Sequence, residues 1–182
     1  GVSPDEAKQG TASLVTANLM GLDSHGIVRL IQYLDLIEAG QLHPGARLAV
    51  IKETPALAVA SGNWGFGQII ARQAAELAVQ KARVTGLAAV AVSDCNHVGR
   101  LGEYTGLVAA QGMLGLSTAN GHGAALRVAP WGGRSNRLAT NPISFAAPTA
   151  AGYPILVDLA TSVISEGKVR VARNASKRLP DR

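Results

Sequence analysis

Between residues 56 and 118, short apolar runs alternate with stretches long enough for helices, and this alternation narrows the folds open to the chain. Residues 56–60 read as a short apolar strand. Gly62, Gly65 and Gly67 lead into a helical stretch over about 68–84, and residues 87–92 (LAAVAV) follow as the clearest buried strand. Residues 104–111 then read as a helix and 114–118 as another strand. Strands separated by helices of this length predict βαβ units and a partly parallel sheet. After residue 120 the chain is richer in Gly, Pro and Asn, and residues 143–147 and 155–159 read as two further strands.

The first 48 residues carry a different pattern. Ser3-Pro4-Asp5-Glu6 is a helix start, with Ser3 as cap, Pro4 at the first helical position and Glu6 completing a capping box. That helix runs through Leu14, Val15, Leu19 and Met20 and breaks at Gly21-Leu22-Asp23-Ser24. Ile27, Leu30, Ile31, Leu34 and Ile37 stand at helical spacing and predict a second helix over about 25–39, ended by Gly40. The expected organisation is an N-terminal helical segment, 1–48, followed by an α/β domain, 49–182. The α/β part has few strands for its helices, and the closing ASKRLPDR is polar. The chain also opens without Met. From these three features an incomplete chain is expected.

Charge and composition exclude several classes. The chain has 182 residues, enough for a sizeable core. With 47% hydrophobic and 16% charged residues it is neither disordered nor of low complexity. The net charge of +5 resides in residues 168–182, where six basic residues (Lys168, Arg170, Arg173, Lys177, Arg178, Arg182) face the single acid Asp181. The remaining residues are neutral, and aromatics are only 4%, so a basic face with interleaved aromatics for nucleic acid is not expected. No apolar run approaches the roughly 18 residues of a membrane span, and the opening GVSPDEAK has neither a charged n-region nor an apolar h-region, so a signal peptide is not expected there. A single Cys cannot form an internal disulfide or a Cys-based zinc site, which fits a reducing compartment such as the cytoplasm.

Four segments could carry chemistry. In Asp23-Ser24-His25-Gly26 with Arg29 and Tyr33, a helix would place His25, Arg29 and Tyr33 in one stripe, with Ser24 at its N-terminus, where anions are favoured. Arg can hold a carboxylate through paired hydrogen bonds, and His can pass a proton to a carbonyl oxygen. The same pattern also fits a capped helix with a polar outer face. Ser93-Asp94-Cys95-Asn96-His97-Val98-Gly99 follows the LAAVAV strand, where open α/β sheets bind ligands, although a loop histidine bonded to backbone fits equally. Asn120-Gly121-His122-Gly123 and Thr140-Asn141-Pro142 allow close backbone approach to a ligand, or are ordinary turns. Val157-Asp158-Leu159-Ala160-Thr161-Ser162 ends a strand in an acid and hydroxyls suited to phosphate or carboxamide, or to a helix cap. Cys95 and His97 lack further ligands, and no metal site is expected. G-x-G-x-x-G, Walker A, H-E-x-x-H and G-x-S-x-G are absent, so a standard Rossmann site is not supported.

Taken in order, DSHGIVRLIQY, SDCNHVGRLGEYTG, APWGGRSNRLATNPISFAAP and PILVDLATSVISEGKV resemble the malate/L-lactate dehydrogenase family of the non-Rossmann type. The resemblance covers nearly the whole chain. It implies a mixed, non-Rossmann sheet flanked by helices, a homodimer, and NAD- or NADP-dependent hydride transfer at C2 of a small 2-hydroxy or 2-oxo acid, or across a cyclic C=N bond. By this resemblance His25 is the proton donor and acceptor, Ser24 and Arg29 fix the carboxylate substrate, and Asp158 orients the catalytic histidine. His97 matches the histidine given that role in some relatives and stands second. Asn120 and Gly121 would lie beside the nicotinamide, Thr140 and Asn141 would shape its pocket, and Val157, Asp158, Leu159, Ala160, Thr161, Ser162 and Val163 would contact the cofactor. Gly121 replaces a Ser of some relatives. Family members continue well beyond this chain, so the 182 residues alone are expected to be inactive and poorly soluble. The competing expectation is a non-catalytic remnant that binds nucleotide or only dimerises.

Overall fold

A computed structural model describes residues 1–121 and 125–178. Helix α1 spans Pro4–Leu19. Its capping box forms as the sequence predicts. Glu6 N–H donates to Ser3 Oγ at 3.3 Å, and the Glu6 carboxylate accepts from Ser3 N–H at 3.4 Å. The same carboxylate is buried and also accepts from Gly45 N–H at 2.8 Å and Arg47 Nη1 at 3.0 Å. One cap residue thus staples α1 to the turn at 43–47.

The predicted second helix is divided. Residues Asp23–His25 and Ile27–Arg29 form two 3-10 turns, and the regular helix α2 covers only Leu30–Glu38. Gly26, at φ −89° and ψ −152°, is extended and separates the turns. The Ile27 N–H, which a continuous helix would give to Asp23, donates instead to Asn18 Oδ1 at 2.9 Å. His25, Arg29 and Tyr33 therefore do not form a stripe on one helix, and Ser24 is not at a helix N-terminus.

The mixed α/β class holds, but the strands form two small sheets. Strands β1 (Ala49–Glu53), β2 (Leu57–Ser61) and β3 (Ala89–Ser93) are ordered β1-β2-β3. β1 runs antiparallel to β2, and β2 parallel to β3 through helix α3 (Gly67–Thr85), the βαβ unit read from the sequence. Gly86 closes α3 in the left-handed region at φ +79°. The second sheet joins β4 (Gly115–Thr118), β5 (Ile143–Ala147) and β6 (Ile155–Leu159), all antiparallel. Helix α4 (Gly102–Ala110) packs on it, and Thr105 and Ser144 meet there at 2.7 Å, fully buried. Helix α5 (Glu166–Asn174) returns to lie on the Asp23–His25 turn and carries Lys168, Arg170 and Arg173, so half of the basic segment is helical.

Each sheet is covered on one face only. Helix α3 packs on β3, and Ala58 and Ala60 of β2 are buried, whereas Leu57 and Val59 point outward, 54% and 46% exposed. The LAAVAV run is not the buried strand its composition predicts, since Ala89 and Ala91 share that open face. The clearest apolar cluster, Leu14, Tyr33 and Leu42 with Leu36, Ile37 and Phe66, lies between the N-terminal helices and the start of α3. Among the described residues, no helix is long and apolar enough to cross a membrane.

Candidate active site

The Asp23–Gly26 turn is built around Asn18 of α1, which donates to Asp23 Oδ1 and accepts from Ile27 N–H. A side chain on Gly26 would put its Cβ 2.2 Å from Asn18 Oδ1, so glycine is required there. Within the turn Ser24 is buried, and its Oγ lies 2.8 Å from His25 Nδ1. Arg29, 6% exposed, donates through Nε to Ser24 O at 2.8 Å and through Nη1 to Gln32 at 2.9 Å. Gly167 of α5 sits against this arginine, where a Cβ would meet Nη2 at 2.7 Å.

The loop after β3 brings His97 to the same place. Asn96 anchors it, donating through Nδ2 to Trp64 O at 2.7 Å and Gln41 O at 3.1 Å. The start of α3 presses on this loop so closely that a Cβ on Gly67 would lie 2.3 Å from His97 O. The imidazoles of His25 and His97 stack with centroids 5.6 Å apart, although 72 residues separate them in sequence. Tyr33 Oη lies 2.9 Å from His97 Nδ1 and accepts from Gln68 Nε2 at 2.6 Å.

Electrostatics favour the neutral form of both rings. Burial lowers the pKa of His25, Arg29 lowers it further, and Asp158 partly opposes them. Burial, Arg29 and His25 together push His97 down to about 3. Asp158 does not hydrogen-bond either ring. Its Oδ2 accepts from Gly102 N–H at 2.7 Å, at the start of α4. Burial also raises the Cys95 thiol to about 11, His43 bonds the carbonyls of Asn63 and Gly40, and no metal-holding group of His, Cys, Asp or Glu occurs among the described residues.

The expected cofactor residues divide. Asn120, Gly121, Thr140, Asn141 and Thr161 gather at one end of the second sheet. Ala119 N–H donates to Pro142 O at 3.2 Å, and Thr161 Oγ1 donates to Thr140 O and Asn141 O at 3.1 and 2.9 Å. Gly121 is wedged between Ala125 and Ala139, where a Cβ would come within 2.8 Å of each. Asn141 holds φ +40° and buries its Oδ1 without a partner. Ala160 lies half-buried at the same end, and Ser162 Oγ turns to Ile164 O at 3.1 Å. Val157 and Leu159 point to the open face of β6, opposite Asp158, and Val163 is fully exposed, so residues 157–163 do not form one surface. His122 lies outside the described residues. A groove of about 820 Å³ beside Thr140 is lined by Ile27, Ile31, Arg127, Arg170 and Arg173 and excludes both histidines. Sequence reasoning missed Asn18, whose amide shapes the turn that follows α1, Gln68, whose role rests on a contact 35 residues away, and Arg127, which lines the groove.

A stacked histidine pair beside a buried arginine, in a chain without a glycine-rich dinucleotide loop, sets this arrangement apart from the Rossmann class. The chain belongs to the malate/L-lactate dehydrogenase family, which it matches over residues 1–182. It is 41% identical over 181 residues to the malate dehydrogenase of Pyrococcus abyssi, covering 100% of this chain and 49% of that protein. It is 36% identical to the L-sulfolactate dehydrogenase of Methanocaldococcus jannaschii, covering 100% of this chain and 52% of that protein. The crystal structure of malate dehydrogenase from Entamoeba histolytica superposes with a TM-score of 0.92 at 31% identity, covering 99% of this chain and 49% of the other. The chain spans about half the length of the curated relatives it matches.

Proposed function

We propose that this chain supplies the acid/base and nicotinamide-facing residues of an NAD- or NADP-dependent oxidoreductase acting at C2 of a small 2-hydroxy or 2-oxo acid. The observation that carries this reading is the stacked pair of His25 and His97 beside the Arg29 charge. The names of the relatives, malate and sulfolactate dehydrogenases, support the substrate class. The buried, unpartnered Oδ1 of Asn141 fits a carboxamide N–H₂, and Thr140, Ala160 and Thr161 would complete that side of the pocket. When bound, the nicotinamide supplies or accepts the hydride.

In the reductive direction His25 gives its proton to the C2 oxygen, which becomes the hydroxyl. In the oxidative direction the same ring takes that proton back. Ser24 orients His25 through Nδ1, Arg29 attracts the acid's carboxylate, and Asp158 supports the protonated ring. The open apolar faces of both sheets support a homodimer, and the free Cys95 supports a reducing, cytoplasmic setting.

The test is NADH and NADPH oxidation by the natural-length protein against pyruvate, oxaloacetate and cyclic imines. His25→Ala should lower kcat by about 10²–10⁴-fold while cofactor binding persists. Because the His25 pKa lies below 6.5, the reductive rate should fall as pH rises through that lowered value, and the oxidative rate should rise. Unchanged turnover in His25→Ala refutes the assignment.

A further inference from the structure

The two histidines share one feature that separates their roles. Each has its Nδ1 tied to a hydroxyl, His25 to Ser24 and His97 to Tyr33, leaving Nε2 as the nitrogen available to a ligand. For His97 the proton can be followed through the network. A tyrosine hydroxyl has a single hydrogen to donate. Gln68 Nε2 is donor only, so at 2.6 Å it fills an acceptor site on Tyr33 Oη. A Tyr33 hydrogen given to His97 Nδ1, 2.9 Å away, would place the His97 proton on Nε2.

The opposite arrangement would turn the Gln68 carbonyl to Tyr33. That would put the Gln68 N–H₂ in the buried position where Oε1 now has no partner. An orphaned buried N–H is rarer than an under-satisfied carbonyl, so the observed orientation is favoured. The groups acting on the His97 charge reinforce this. Burial and the Arg29 charge disfavour a charged His97, and a proton on His25 would disfavour it further; Tyr33 of α2 stays protonated with its pKa raised to about 12, Gln68 of α3 is neutral, and Cys95 of its own loop remains a thiol.

We infer that Tyr33, backed by Gln68, is a positioning residue that holds His97 as a neutral imidazole with its proton on Nε2, so that His97 donates a hydrogen bond to the substrate C2 oxygen while His25 alone transfers the proton. This rests on the hydride-transfer reading for its chemistry, and on the Gln68–Tyr33–His97 chain for the tautomer. A neutral imidazole in this role polarises a carbonyl without changing its own protonation.

The experiment is ¹⁵N NMR of histidine-labelled protein at natural length, paired with pH–rate profiles. The wild type should show an unprotonated Nδ1 and a protonated Nε2 at His97. Tyr33→Phe should give a tautomer mixture and lower kcat by about tenfold or more with little change in KM. Gln68→Glu, whose carboxylate can only accept when ionised, should draw the Tyr33 hydrogen and move the His97 proton to Nδ1. His97→Gln, which keeps a donor, should retain more activity than His97→Ala and leave the pH limb of His25 in place. A wild-type proton on Nδ1, or an unaltered His97 tautomer in both Tyr33→Phe and Gln68→Glu, overturns the proposal. The expected tautomer without turnover of any 2-oxo acid supports positioning by Tyr33 and overturns the hydride-transfer reading instead.

Discussion

Glu6 shows how one side chain can close both a local and a distant contact. Burial alone would raise its pKa, yet hydrogen bonds from Gly45, Arg47 and Ser3 outweigh it and hold the carboxyl below its ordinary 4.5. A depressed acid stabilises the fold above the unfolded pKa, and that contribution fades as pH falls through the lower folded value. Glu6→Gln should therefore cost about 1.5–3 kcal/mol at pH 7, the worth of hydrogen bonds to a charged group. The gap between variant and wild type should narrow on acidification, as urea denaturation at both pH values would show; a gap independent of pH would refute the role given to the charge. The capping half of this arrangement is legible in Ser3-Pro4-Asp5-Glu6, because it spans three residues. The half that reaches Gly45 and Arg47 is not, since about forty residues intervene. The candidate site divides in the same way. His25, Arg29 and His97 stand out in the sequence by chemistry alone. Gln68 lies in an apolar helical stretch, and only the packing of α3 against Tyr33 gives it a task.

The helices and strands were legible where local signals agree. α1 has its cap, α3 has a terminating glycine, and β2 and β3 have apolar runs of strand length. β1 was not legible, because AVIKE mixes apolar and charged residues and lies fully exposed. The second helix failed as a reading because hydrophobic spacing carries no information about Asn18, which takes the N–H that helical continuation would need. Gly67 belongs to the same class of hidden constraint. It stands at the start of α3, and its missing side chain lets the helix touch the Asn96–His97 backbone, where a Cβ would lie 2.4 and 2.3 Å from the two carbonyl oxygens. Gly67→Ala must push that loop away, which moves His97 relative to Tyr33 and His25. Overpacking of this kind costs about 1–3 kcal/mol. The expected result is a lower melting temperature together with altered His97 ¹⁵N shifts. A variant with unchanged shifts would show that the loop absorbs the methyl group without moving the ring.

Each sheet leaves a row of apolar side chains open on one face. On the second sheet Leu116, Phe145 and Val157 sit side by side in register, 63%, 48% and 44% exposed, with Ile155 and Leu159 flanking them at 66% and 47%. On the first sheet Ile51, Leu57 and Val59 form a second open face. The opposite faces are filled, by α3 in one case and α4 in the other, so the exposure is one-sided and follows the two-residue alternation of the strands. A hydrophobic face of this kind associates in water roughly in proportion to the area it removes from solvent. The 182 residues expressed alone should therefore self-associate with rising concentration and bind an apolar dye, as sedimentation and fluorescence would show. Replacing Leu116 and Phe145 together by Lys should suppress both signals. Both side chains stand on the open face, so their loss should change stability only within about 0.5 kcal/mol per site. Association that survives the double substitution would assign contact to the first sheet instead, where Leu57→Lys provides the matching test. A chain that stays monomeric and dye-free without any substitution would mean that both faces are covered in solution by an arrangement of its own elements different from the one described.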